Sequence, residues 1–325
     1  MLESPAVQRL ATISFLGILS PRFAHLHLAP LYRRAGEEPL ASREEGGDGS
    51  RLDHSVGVAL LNVDVVRSLG FGIEAQRYAA VWGLLHDLGN WPLSHTGEGA
   101  FRRLAGRSTR ALRRELITGE GVALALPQYS VRDRLGAAGL QVDRLLALME
   151  YRMAELPTEL RALAEVVQSP LSPDAFEGMW RCGQALGAPV VDPEHLARGL
   201  ARDATGSVVV RQGYEELALQ FWRSKMHLYR SFLNTRAAIE LESSWAEAIA
   251  HAYPGLTAAD SLILSEASVV KRVQDRCASV RVSAALGRYK PPVDYDLALP
   301  PTHRLPNNAT MSQLSSLFVS KPLAT

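Results

Sequence analysis

Residues 54–89 narrow most what this chain can fold into. "HSVGVALLNVDVVRSLGF" (54–71) and "GIEAQRYAAVWGLLHDLG" (72–89) are successive apolar segments with helical spacing, the first stopping at Gly70. Read as an antiparallel hairpin, they bring their far ends together. His54 then opens one helix where His86 and Asp87 close the other. Neighbouring helical residues point about 100° apart, so His86 and Asp87 can share an ion only with ligands from elsewhere. His54 supplies one, and the spacing suits a single metal held from two helices.

The rest of the chain continues in the same style. Helical patterns run over 4–19, 101–116, 131–152, 156–169 and 190–206, and over 214–253 as one or two long helices. Ser4–Pro5 and Asp192–Pro193 have the form of helix starts. A polar, glycine-rich loop spans about residues 34–50. Beyond Pro254 apolar residues alternate and prolines multiply, which predicts short strands and loops. The expectation is a mostly α protein, with a helical domain over 1–255 and a small mixed C-terminal extension over 256–325.

Composition sets limits on function. With 325 residues, 47% of them apolar, the chain has ample material for a core. Lys plus Arg number 35 against 34 Asp plus Glu, so no global field announces nucleic acid or an anionic membrane. Cys182 and Cys277 form no disulfide framework and no thiolate zinc site, which points to a reducing compartment. Neither a leader segment nor an apolar run of membrane-spanning length is visible, and the reading is cytoplasmic. Six arginines between Arg102 and Arg114 read as a solvated helix face. The alternative is a surface for polyphosphate, a regulatory nucleotide or single-stranded nucleic acid, although no aromatic residue interleaves after Phe101. His25 and His27 read as structural or pocket-lining.

Five strings, in order, carry a resemblance: "QRL" (8–10), "RLDHSVGV" (51–58), "LLHDLGNWPLSHTGE" (84–98), "RDATG" (202–206) and "FWRSKMHLYRSFLNTRAAIE" (221–240). Together they resemble the HD-domain phosphohydrolases, in particular their deoxynucleoside triphosphate triphosphohydrolase branch. The resemblance implies an HD-type helical fold that often forms oligomers. It also implies a metal-dependent phosphohydrolase acting on a nucleotide or (d)NTP-like phosphate ester through a metal-activated water. The cofactor would be a divalent ion, with Mg, Mn, Fe, Ni and Zn all left open.

By the same resemblance His54, His86 and Asp87 match three metal ligands, Asp87 also serving in catalysis. The fourth falls in 192–195, where alignment on the helix start selects Glu194 and alignment on Arg202–Asp203 selects His195. Asp192 is a third candidate, and Glu194 is preferred. Arg51 and Arg223 match phosphate contacts. His95 matches a proton donor or phosphate contact, with Glu98 orienting a neighbouring His or closing the loop. Asn90 stands where the family has a His; its amide cannot act as an acid but can hydrogen-bond a phosphate oxygen. Phe15, Arg114 and Gly199 replace the family's sugar-reading Gln, later catalytic His and sugar-stacking Tyr, which suggests a rebuilt sugar pocket. The competing expectation is a catalytically impaired nucleotide-binding or regulatory protein of the same fold.

Overall fold

A computed structural model describes residues 1–23, 49–203 and 207–276. In chain order the helices begin with α1 (Pro5–Gln8), α2 (Arg51–Ser68), α3 (Ile73–Leu85), α4 (Ser94–Ala105) and α5 (Thr109–Thr118). Next come α6 (Val122–Ala125), α7 (Arg132–Ala137), α8 (Val142–Met149), α9 (Thr158–Val167), α10 (Pro173–Leu186) and α11 (Pro193–Arg198). A two-stranded antiparallel sheet, β1 (Leu200–Arg202) with β2 (Val208–Val210), pairs Ala201 with Val209. α12 (Glu215–Leu228), α13 (Arg236–Ala252), α14 (Ala258–Leu262) and α15 (Glu266–Arg276) complete the described chain. The fold is mostly α, as expected.

Local chemistry sets these boundaries. Ser50 and Asp53 cap α2 reciprocally: the Ser50 backbone N–H donates to Asp53 Oδ2 at 2.8 Å, and the Asp53 N–H donates to Ser50 Oγ at 3.1 Å. Ser172 caps α10 and Ser108 caps α5 through their hydroxyls. The region 214–253 is two helices, because α12 ends in a wider π turn over Tyr229–Leu233 and Thr235 caps α13.

Several expected elements differ. The helix predicted over 4–19 is the single turn α1 followed by 3₁₀ turns. Ser14 is drawn into a bridge with Ser50, and Gly17 adopts φ +61°. The helices predicted over 101–116 and 131–152 are each two. The one predicted over 190–206 ends at Arg198, and β1 begins two residues on. Residues 258–262 and 266–276 are helical rather than strand and loop; Thr257 and Asp260 form a capping box that starts α14. The rest of the C-terminal extension, the stretch with His25 and His27, and most of the loop expected before Ser50 lie outside the described residues.

The chain divides into two compact units that interleave in sequence. Within the described residues, the first holds 1–23, 49–55, 85–142 and 232–276. Residues on both sides of 255 thus fall in this unit. In this unit α4 lies along α13, with Trp91 stacked on Phe101 at 5.5 Å and Phe101 against Tyr253. α15 returns onto α13, where Tyr253 Oη donates to Ser268 O and the Arg272 guanidinium covers the Tyr253 ring.

The second unit holds 56–84, 143–203 and 207–231. Its helical hairpin is close-packed: Asn62 Nδ2 donates to Ala79 O, and a Cβ on Gly83 would meet Ala59 Cα at 2.6 Å. α10 and α12 meet through Phe176 and Phe221, edge to face at 5.2 Å.

Candidate metal centre

His54 is the fourth residue of α2, so the Ser50–Asp53 cap one turn back fixes its backbone. His86 and Asp87 lie in the turn directly after α3, closed by Leu88 N–H to Leu85 O and Asn90 N–H to Asp87 O. That turn rests on the start of α5, and Gly89 makes this possible: a Cβ there would sit 2.0 Å from Thr109 O. Three guanidiniums hold three successive residues of the turn. Arg113 Nη1 donates to His86 O at 2.7 Å, Arg51 Nη1 to Asp87 Oδ2 at 2.7 Å, and Arg9 Nη2 to Leu88 O at 2.9 Å. Burial pushes Arg9 down to about 10, which leaves it cationic at neutral pH.

The three ligand candidates converge. His54 Nε2 lies 3.2 Å from His86 Nε2, with the rings close to perpendicular. Asp87 Oδ2 is 4.0 Å from His54 Nε2, and Oδ1 is 3.6 Å from His86 Nε2. All three ligand atoms fall within 4.8 Å of one another, and the group could hold a metal ion. The side chains are 2%, 8% and 14% exposed, so the donors sit away from competing water. Burial pushes the Asp87 carboxyl up, but the charges of Arg51, His86 and His54 and the Arg51 hydrogen bond outweigh it. The carboxyl is held well below the usual carboxylate range. Asp87 is thus anionic beside two imidazoles.

Arg51 is buried, and each of its three nitrogens donates: Nη1 to Asp87, Nε to Ser94 Oγ at 3.0 Å and Nη2 to Phe15 O at 2.9 Å. Its guanidinium also covers the Phe15 ring at 4.6 Å. It thereby orients Asp87; the resemblance implied a phosphate contact for it. Asn90 Nδ2 is buried and has no acceptor among the described residues. That is an orphaned donor three residues from Asp87. His95 is half-exposed, with Nδ1 3.7 Å from Glu98 Oε2, and Glu98 Oε1 accepts from Thr109 Oγ1. The His95 contact, with smaller help from Thr109 and Arg102, holds Glu98 below its ordinary value.

The remaining expected residues belong to the second unit. Glu194 is 70% exposed and pairs with Arg198 on its own helix. Asp192 accepts from the His195 N–H as the cap of α11, and His195 is exposed. Arg223 is 67% exposed and pairs with Glu216. None of these is in the clustered group, which among the described residues has three members. Gly199 faces the ring of Tyr214, whose Cδ1 would lie 2.7 Å from a Cβ added there.

Sequence reasoning missed Ser14, Ser94 and Glu266, and it read Arg113 only as part of a basic face. Arg9 stood in a quoted string, but nothing in the string names Leu88 O as its acceptor.

Fold and site together define a mostly helical protein with a buried two-histidine, one-aspartate group. No family model matches the chain, and no curated protein matches it. Among solved structures the chain is similar to a hypothetical protein from Aquifex aeolicus, known from a crystal structure at 2.0 Å resolution. The TM-score is 0.62 at 20% identity, over 86% of this chain and 68% of that one. At that identity the likeness speaks to the fold alone.

Proposed function

We propose that this chain is a metal-dependent phosphohydrolase acting on a nucleotide or a similar phosphate ester. One observation carries the reading: the buried Nε2 atoms of His54 and His86 face each other beside an ionised Asp87. The order of the HD-type strings supports it. The amide of Asn90 adds a buried donor without an acceptor among the described residues. Two imidazoles and one carboxylate suit Mn, Fe, Co, Ni or Zn better than Mg or Ca, which favour all-oxygen sites. A divalent cation held there would supply Lewis acidity toward a phosphoryl oxygen and toward water.

The chain's own residues do the rest. Arg51 keeps Asp87 in its ligating orientation, and Arg9 and Arg113 fix the main chain on either side. Asn90 Nδ2 would donate to a phosphate oxygen. Glu98 faces His95 Nδ1, which leaves Nε2 of the half-exposed ring to exchange a proton with the leaving group.

A second reading, a phosphate-ligand binding protein without turnover, is favoured by the commitment of Arg51 to Asp87 and the exposed, ion-paired state of Glu194 and Arg223. The two are separated by assaying the metal-loaded chain on a nucleotide panel beside His86→Ala and Asp87→Ala. Turnover lost in both variants supports hydrolysis. Equal rates in all three proteins dismiss it, and binding without turnover selects the second reading.

A further inference from the structure

We propose that Glu266, the first residue of α15, is a positioning residue for the metal centre, acting through Leu93, Ser94 and Arg51. The inference rests on reading His54, His86 and Asp87 as ligands.

Glu266 is 3% exposed. Its Oε1 accepts from the Leu93 N–H at 2.7 Å, the Ser14 N–H at 2.9 Å and Ser14 Oγ at 2.9 Å. Its Oε2 accepts from Arg22 Nη2 at 2.8 Å. A residue at a helix start could spend its carboxylate on its own first turn. This one is spent on partners far away in sequence.

Those partners surround one hydroxyl. Leu93 and Ser94 are consecutive non-glycine residues in the left-handed region, at φ +63° and +48°. Such a pair persists only where its surroundings hold it, and strained backbone of this kind gathers at functional sites. The N–H of Leu93 is held by Glu266, and the Leu93 carbonyl lies so close to Gly17 that a Cβ there would meet it at 2.3 Å. Ser94 Oγ donates to Ser14 O and accepts from Arg51 Nε, whose Nη1 holds Asp87. One carboxylate oxygen therefore fixes both residues that flank the Ser94 hydroxyl. That hydroxyl is one of three anchors for the guanidinium that orients a ligand. Without Glu266 the 93–94 pair relaxes toward ordinary φ, Ser94 withdraws, and Asp87 loses its fixed direction.

The test uses the full chain with Co²⁺ as probe, reading affinity and the visible ligand-field spectrum. Wild type should bind Co²⁺ in a manner that His86→Ala abolishes. Glu266→Ala should remain folded by far-UV circular dichroism, bind about 10-fold more weakly and show shifted bands, as expected when support behind a ligand is removed. Glu266→Gln keeps an oxygen acceptor and should recover most of both. Ser94→Ala should reproduce the alanine variant, and the double substitution should cost no more than either alone. A folded Glu266→Ala with wild-type affinity and spectrum overturns the proposal. If that variant fails to fold, wild-type spectra in both Ser94→Ala and Glu266→Gln overturn it, and a shift in Ser94→Ala alone supports it. Wild type without His86-dependent Co²⁺ binding removes the metal reading, and this inference with it.

Discussion

Arg51 and Asp87 form a pair whose worth is measurable without any metal. The depressed carboxyl of Asp87 contributes stability above the ordinary carboxylate range, and that stability is lost as pH falls toward its folded value. Arg51→Met removes the cation and strands a buried carboxylate. It should cost about 3 kcal/mol at neutral pH and move acid unfolding to higher pH, both read from denaturant midpoints. Lys225 works in the opposite direction. Burial pushes it down to about 8, against the raising influence of Asp174 and Cys182. Above that pH the unfolded chain holds more protons than the folded one, so stability should climb from about pH 8 to about 10.5. Lys225→Met should flatten that climb and stabilise the protein at pH 7 by up to about 3 kcal/mol. The clustered group was legible because His54 and the His86–Asp87 pair are rare types at helix ends. Arg51's acceptors were not, since a sequence gives a guanidinium's charge but not its target. Glu266 was invisible because its partners lie far off along the chain.

At the scale of elements, the turn after α3 is set by contact between main chains. Gly89→Ala would drive a methyl into Thr109 O, lifting the turn from α5. A loss of about 2 kcal/mol in thermal stability is expected, together with weaker Co²⁺ binding. If Gly89→Ala left Co²⁺ affinity untouched, the turn would not govern ligand placement. The hairpin of α2 and α3 was readable because unbroken apolar spacing leaves few alternatives. The helix expected over 4–19 had the same spacing, and Val7, Leu10 and Ile13 are indeed buried. Periodicity reported burial there but not conformation, because the pull of Ser14 toward Ser50 and Glu266 is long-range. The early end of α11 had no proline to announce it, although the run Val208–Val210 carried a strand signal.

For the molecule as a whole, ligand linkage offers the broadest check. A metal bound at about 100 times its Kd should add about 2.7 kcal/mol of stability. Mn²⁺ or Co²⁺ should therefore raise the melting temperature by several degrees, chelation should reverse the gain, and Asp87→Ala should show none of it. The mostly helical class was apparent from the sequence because nearly every segment repeats near 3.6 residues. The partition into two interleaved units was not, since nothing local marks Ser55 or Leu85 as a crossing point. No described helix is long and apolar enough to cross a membrane.

The glycines at 17, 89 and 97 share one property: an added methyl would strike the main-chain oxygen of Leu93, Thr109 or Pro92. At these three points main-chain oxygens are the nearest surfaces, so the path of residues 86–97 depends on bare positions as well as on the Arg9, Arg51, Arg113 and Glu266 side chains that hold it. A methyl at any of the three would therefore push one stretch of main chain off another, a fault that no change of neighbouring side chain could relieve.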